Sequence, residues 1–300
     1  MVRYDIIIVG AGPAGLSAAL LLGRCRRQVL VCDSGSYRNA CSGAMYGFLG
    51  RDGGSPAELR EQGREQLGRY DTVEVLETEV RDVIPTDGGF EVVFDDTRRT
   101  TCRKVVLATG VVDDLPQLPG LADLYGRSVF HCPYCDGYEV RDQPIAVYGG
   151  GTRGVGLALE LTIWSADLLL CTDGPSGLDH EHRQRLHRNR IAIDERRIVR
   201  LEGRDGQLAE VHFADGDPAA RSAMFFITGQ RERSSLAAKL GCAFDVEGTV
   251  ETGNNESTNV PGLYVAGDAS RQAQLAIVAA AEGAQAAAAI NTALLHEDLS

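Results

Sequence analysis

Tyr4-Asp5-Ile6-Ile7-Ile8-Val9-Gly10-Ala11-Gly12-Pro13-Ala14-Gly15 decides the fold. Tyr4 to Val9 is a β-branched run of the kind a parallel sheet buries on both faces. Leu16 to Arg24 reads as a helix rich in Ala and Leu, and Gln28 to Cys32 as a second apolar strand that ends at Asp33. Strand, tight turn, helix, strand and acid form the full setting that a G-x-G-x-x-G fingerprint requires. Gly10 allows the turn, and Gly12 lets the backbone approach a pyrophosphate. Gly15 lets helix and strand pack closely, and Asp33 can accept from a ribose hydroxyl. The plain alternative, a strand–helix turn without a ligand, does not call for the acid.

The same order recurs further on. Pro144 to Tyr148 is a strand, and Gly149-Gly150-Gly151-Thr152-Arg153-Gly154 is a second G-x-G-x-x-G. A helix from Val155 to about Ser165 follows, then strand Leu168 to Cys171 and helical Glu181 to Asn189. A meander is expected over Ile191 to Leu201, Leu208 to Phe213 and Arg221 to Ile227, with turns at Asp205-Gly206 and Asp215-Gly216. Two such units predict an α/β protein with two Rossmann-like, three-layer ββα nucleotide-binding domains. After the second strand of the second unit stand Cys171-Thr172-Asp173-Gly174. Asp173 would repel a 2′-phosphate and at most hold a free ribose diol. NADH, residual NADPH and no nicotinamide all stay open here. Arg183 and Arg185 are cations nearby that read first as exposed helix charges.

Between the two units, Ser34 to Gly54 is a long loop rich in Gly and small polar residues, and such loops are usually functional. Ser55-Pro56-Ala57-Glu58 then opens a helix to about Tyr70, with a Ser cap and Pro in the first position. Val73 to Val83, Phe90 to Phe94 and Thr97 to Cys102 read as a three-stranded antiparallel meander, turning first at Asp87-Gly88-Gly89. Lys104 to Ala108 reads as a separate buried strand closed by Thr109-Gly110. Leu115-Pro116-Gln117-Leu118-Pro119-Gly120 is the best domain boundary.

Cys132-Pro133-Tyr134-Cys135-Asp136-Gly137 holds the only cysteine pair at redox spacing. Pro133 stands where a first helical residue would be, with Cys132 as its cap. The helix dipole would then favour a Cys132 thiolate. Half of a zinc site is the alternative, but that needs a second pair of ligands, and His131 is adjacent rather than spaced. The other six of the eight cysteines are scattered and read as small hydrophobes. This usage, with no secretion signal at the N-terminus, predicts a reducing, cytoplasmic setting. The net charge of −12 argues against nucleic acid or an anionic membrane as a partner. No apolar run reaches the roughly 20 residues of a membrane span.

Ser257 to Asp268 is a further strand-to-Gly signal, in which Asp268 after Gly267 can hydrogen-bond a polyol chain. Gln272 to Asn291 reads as an Ala-rich helix whose one charge is Glu282.

Taken together, the chain resembles low-molecular-weight thioredoxin reductase and its relatives along nearly its full length. The matching residues are Gly10 to Gly15, Ala108-Thr109-Gly110, Cys132 to Gly137, Gly149-Gly150-Gly151 and Ala266-Gly267-Asp268. The resemblance implies an FAD domain built from 1–116 and 243–300. A nicotinamide-type domain, 117–242, would carry the dithiol and be inserted in the first. It also implies a homodimer. Cys135 would face the flavin, Cys132 would exchange with substrate, and Asp136 would be the acid–base residue. Gly10, Gly12, Pro13, Ala14, Gly15, Asp33, Thr109, Gly110, Gly267 and Asp268 would bind FAD. Gln274, Leu275 and Ala276 would lie near the isoalloxazine. Cys171-Thr172-Asp173 replaces the reductases' His-Arg-Arg segment for NADPH. Cys132 to Glu139 looks closer to an atypical branch that includes gliotoxin- and holomycin-type dithiol oxidases. The implied function is thiol–disulfide exchange among FAD, Cys132–Cys135 and either a thioredoxin-like protein or a small dithiol. An oxygen-using dithiol oxidase, a flavin-bound redox sensor and an NADH-dependent flavin oxidase are the competing readings.

Overall fold

The computed structural model describes residues 3–271 and 273–300. Its elements begin with β1 (Arg3–Val9), α1 (Pro13–Arg24), β2 (Val29–Asp33), α2 (Pro56–Leu67), β3 (Val73–Glu77), β4 (Val80–Thr86), β5 (Gly89–Phe94), β6 (Arg99–Leu107) and β7 (Val111–Asp113). Next come α3 (Leu121–Leu124), β8 (Val129–Phe130), α4 (Pro133–Asp136), β9 (Ile145–Tyr148), α5 (Gly151–Glu160), β10 (Leu168–Cys171) and α6 (His180–Arg188). Then follow β11 (Ala192–Asp194), β12 (Ile198–Arg204), β13 (Gln207–Phe213), β14 (Ala219–Ala220) and β15 (Ala223–Phe226). The chain closes with β16 (Gln230–Glu232), α7 (Leu236–Lys239), β17 (Leu263–Val265) and α8 (Ala276–Leu299).

Two compact units result: one of 1–40, 48–112 and 230–300, the other of 41–47 and 113–229. Residues 230–242, read from sequence as part of the middle domain, therefore belong with the first unit. The reason is burial: Leu236, Ala237 and Cys242 share one apolar cluster with Ile7, Val92 and Val265. The chain passes from the first unit to the second between Val112 and Asp113, immediately before the Pro-rich stretch 115–120.

In the first unit the sheet runs β3-β2-β1-β6, and β17 adds to β6. These strands pair in parallel, with Ile6 opposite both Val29 and Lys104, and Val265 opposite Leu107. The second unit repeats that order as β11-β10-β9-β15-β8, again parallel. Each unit thus carries five parallel strands with its Gly-rich turn after the central one, and in the first unit β5 and β4 extend the sheet antiparallel to seven strands. The fifth strand comes last in the chain for the first unit and first for the second.

Three strand expectations are corrected. β6 is one continuous strand from Arg99 to Leu107. Its first half pairs antiparallel with β5 and its second half parallel with β17, so no break falls at Arg103. β3 is not a meander strand: it lies parallel beside β2. Likewise the ribbon β12-β13-β14 stands alone, while β15 leaves it to join β9. The turn at Asp205-Gly206 is where expected, with φ of 55° and 82° at its two residues, the mirror-image turn that suits a hairpin's twist.

α8 begins at Ala276 and extends to Leu299, later at both ends than expected; Gln272 lies outside the described residues. By length and composition it could cross a membrane, with 24 residues and a mean hydropathy of 1.2 in its most apolar window. Its inner residues instead join a core: Ala286, Ala287, Ile290 and Leu294 are buried with Ala14, Ala18 and Leu22 of α1. Small residues bring the two helices together, since a Cβ on Gly283 would stand 2.0 Å from the Ala14 carbonyl oxygen.

Candidate active site

The redox pair sits on one turn of helix. Cys132 caps α4 and Pro133 takes its first position, where a missing N–H loses no bond. The N–H groups of Cys135 and Asp136 both donate to the Cys132 carbonyl at 3.2 Å. That turn sets the two Cα atoms 5.3 Å apart, and the sulfurs are joined in a disulfide. The helix is four residues long, so its dipole is that of a single turn and weaker than the sequence pattern suggests. Gly137 is required here: a Cβ would stand 2.8 Å from the Trp164 ring. Trp164 in turn meets Tyr134 edge-on at 5.8 Å.

Asp136 follows Cys135 directly and is half-buried. Burial pushes its carboxyl up to about 7, and the charge of Glu139 adds to this. A carboxyl that titrates near neutrality can both give and take a proton. On the other side of the pair, His131 Nδ1 lies 3.3 Å from the Tyr125 hydroxyl, which donates to Asp113 Oδ2 at 2.8 Å. Sequence reading did not find this group. Tyr125 and Asp113 carry no motif, and only the fold brings them to His131.

The two Gly-rich turns show which glycines the protein itself demands. Gly10 has φ +109°, and a Cβ there would lie 2.3 Å from the Ala108 carbonyl oxygen. A Cβ on Gly15 would lie 1.8 Å from the Gly10 carbonyl oxygen. Gly12 differs: its φ is −74°, and a Cβ would meet nothing within 4 Å. α1 starts there with no side-chain cap and no acid in its first turn. An open, uncapped helix start beneath a glycine that folding does not require fits a pyrophosphate. Pro13 and Ala14 are the first residues of that helix.

The other expected contacts are present around this turn. Asp33 is buried and accepts from Gly35 N at 2.9 Å, from the Tyr37 hydroxyl at 2.5 Å and from Arg64. Three donors leave room for a fourth on a carboxylate, so a ribose hydroxyl is still compatible. Thr109 and Gly110 follow β6, and Gly110 has φ +67° with open space where a Cβ would be. Gly267 has φ +89°, and its N–H donates to Glu282 Oε2 at 2.7 Å. Glu282 also pairs with Arg271 at 2.7 Å, so a buried acid of α8 holds the Gly267-Asp268 turn. Asp268 pairs with Arg38 at 2.9 Å, and Arg38 donates to Gln274 Oε1 at 2.6 Å. Leu275 caps α8 and Ala276 is its first residue.

In the second unit, a Cβ on Gly154 would meet the Gly149 carbonyl oxygen at 2.5 Å, while Gly150 is open. Asp173 is engaged by its own unit: it accepts from Ile198 N at 2.7 Å and from the Tyr148 hydroxyl at 3.3 Å. Arg183 is paired with Glu195 at 2.7 Å.

A dithiol turn and two nucleotide-type α/β units define a disulfide oxidoreductase. The chain belongs to the pyridine nucleotide-disulphide oxidoreductase family, whose model matches residues 4–283. It is 34% identical to the thioredoxin reductase tcpT of Claviceps purpurea, over 88% of this chain and 86% of that one. Among solved structures, HlmI is 38% identical with a TM-score of 0.94, covering 99% of this chain and 94% of its own. An oxidoreductase from Agrobacterium tumefaciens is 35% identical with a TM-score of 0.91, covering 98% and 99%. The protein is an oxidoreductase enzyme of thioredoxin reductase type, and enzymes of this family are typically flavin-dependent.

Proposed function

We propose that the protein is an FAD-dependent thiol–disulfide oxidoreductase that moves electron pairs between a dithiol or disulfide substrate, the Cys132–Cys135 pair and FAD. The observation that carries this reading is the disulfide on the α4 turn beside an acid that titrates near neutrality. In the oxidising direction a substrate thiolate attacks Cys132, and the Cys132–Cys135 bond breaks. Cys135 leaves as a thiolate, to which Asp136 supplies the proton. The second substrate thiol then displaces Cys132, and the substrate departs as a disulfide. Gly10 to Gly15, Asp33, Thr109, Gly110, Gly267, Asp268 and Gln274 to Ala276 would hold FAD, which when bound would supply the two-electron chemistry that restores the pair. In the reducing direction Cys132 attacks the substrate disulfide, and Cys135 resolves the mixed disulfide.

One observation favours a dithiol over NADPH as the electron source. Asp173 stands where cations for a 2′-phosphate are needed, and it is tied to Ile198 and Tyr148. A small dithiol substrate oxidised at the expense of oxygen is therefore the second reading. A homodimer is part of the proposal, and light scattering on the purified protein tests it. The main test follows flavin absorbance without oxygen after adding NADPH, NADH or a small dithiol. Bleaching by the dithiol alone, with colour returning in air, supports the oxidase. Rapid bleaching by either nicotinamide refutes the argument from Asp173. A Cys135→Ser variant should trap the substrate on Cys132; trapping only in Cys132→Ser would reverse the roles.

A further inference from the structure

The sheet of the second unit ends at β11, whose one strand partner is β10. The Asp194 carbonyl accepts the Thr172 N–H at 3.0 Å. Strand alternation therefore turns the N–H and C=O of Ile193 away from β10, and among the described residues no strand covers that side. A groove of about 600 Å³ lies here, with Ile191 and Ile193 as its apolar floor. Its wall is one face of α6: His180, Arg183, Gln184, His187 and Arg188, the i, i+3, i+4, i+7 and i+8 positions of a helix. This wall is cationic in a chain of net charge −12. The whole of α6 holds three arginines and three histidines against one acid, Glu181, and Glu181 does not line the groove.

Basic residues in a last helical turn complement the helix dipole, which accounts for His187 and Arg188. It does not account for His180 and Arg183, which stand in the first half of α6. Charges on a strand also guard a sheet edge against chance pairing, but Ile191, Ala192 and Ile193 are all apolar. Arg183 is held by Glu195 at 2.7 Å. Arg188 donates to Gln184 Oε1 at 3.1 Å and, among the described residues, pairs with no carboxylate. We propose that this groove takes an acidic, extended segment of a partner protein, added as a strand beside β11 with its acids turned toward α6. The spacings agree. Side chains on one face of a strand recur at about 6.6 Å, and helix positions four apart lie about 6 Å apart. An acid at every second position thus meets Arg183 or Gln184, then His187 or Arg188. The main chain of the segment takes the Ile193 N–H and C=O, as in other strand additions. A second copy of this chain does not suit the groove, because a two-fold interface sets a patch against itself, here cation against cation. The groove belongs to the second unit alone and does not depend on the reaction proposed at Cys132 and Cys135.

The test uses the FAD-loaded full chain and a short fluorescein-labelled peptide in which Glu and Val alternate, followed by fluorescence anisotropy in low-salt buffer. The peptide should bind, and added salt should weaken it. Two further peptides carry N-methyl groups, one on the Glu amides and one on the Val amides. Only one of these two sets faces β11 in an added strand, so one peptide should lose about tenfold in affinity and the other should bind like the parent. Arg188→Glu should weaken the parent peptide by about fivefold or more and leave the protein's thermal melting curve nearly in place, since the side chain is exposed. His187→Glu is the second variant, with the same expected sense. If the two N-methylated peptides behave alike, the main chain of the segment does not pair with β11 and the proposal fails. It fails also if both charge variants bind the peptide as the parent does, or if millimolar peptide does not bind at all. If Arg188→Glu changes the particle mass seen by light scattering, a second copy covers the groove, and that too overturns the proposal.

Discussion

Asp136→Asn separates the chemistry of the site from its folding in one variant. Burial, reinforced by Glu139, raises this carboxyl from 3.8 to about 7. Because the folded value lies above the unfolded one, the folded protein binds the extra proton between them. The contribution of Asp136 to stability is therefore fully present below about pH 4 and is lost as pH rises through about 7. For a wholly sealed group that interval corresponds to about 4 kcal/mol. The half-buried site brings it to about 2 kcal/mol. Asparagine keeps the shape and cannot ionise. The oxidised variant should match the parent at about pH 4 and exceed it by about 2 kcal/mol above about pH 8. Trp164 is the chain's single tryptophan and packs on Gly137, so its fluorescence in a urea titration follows the unit that carries the site. The same substitution removes the proton donor, and dithiol oxidation should slow about 10²- to 10⁴-fold. If the asparagine variant loses stability toward alkaline pH as steeply as the parent, the buried acid is not Asp136 and the reasoning fails.

Other substitutions probe the supports of the site. Gly15→Ala drives a methyl into the Gly10 carbonyl and should destabilise the fold by about 3 kcal/mol or more; Gly12→Ala, with no neighbour within 4 Å, should leave the apoprotein's melting temperature unchanged and weaken FAD retention in a dialysis assay. Glu282→Ala strips a buried partner from Arg271 and from Gly267 N, which should lower stability by about 3 kcal/mol and release the flavin more readily. Asp173→Ala leaves Ile198 N without its acceptor and should lower the stability of the second unit by about 1–3 kcal/mol. It should not change the response of the flavin to NADPH, since a charge-neutral residue still offers a 2′-phosphate no cation.

What could be read from the sequence was whatever is local along the chain. Gly10 to Gly15, the Ser55 cap and the Asp205-Gly206 turn each act on their own neighbours. Ser55 Oγ accepts from Ala57 N at 3.2 Å, as its position at the head of α2 requires. What escaped was decided by residues far apart. Arg103 and Lys104 look like a break in β6, yet they are paired with Asp5 and Glu297 from opposite ends of the chain. β15 looks like a third meander strand, but its four residues are all buried, and a strand sealed on both faces is placed in a parallel sheet rather than a ribbon. The Asp113–Tyr125–His131 group has no spacing signature, because β7, α3 and β8 supply one residue region each.

The two Gly-rich turns show how a fold constraint differs from a ligand constraint. Gly15 and Gly154 repeat because each helix must pass within contact of the carbonyl of the first glycine of its own turn. That demand comes from the backbone and survives any change of ligand. Gly12 faces open space at a φ of −74°, so folding alone would accept alanine there, whereas its counterpart Gly151 has φ +58°, a backbone that favours glycine whatever binds. The acids then diverge. Asp33 gathers Gly35, Tyr37 and Arg64 from the loop and helix that follow it, arranging polar groups around its turn. Asp173 bonds to the backbone of β12 and to Tyr148, which ties down the edge of its own unit. A duplicated unit keeps its packing glycines under the same steric rule, while the acid at its second strand is free to change employment. For that reason the fingerprint alone identifies the architecture twice, and the partners of the acid decide how each copy is used.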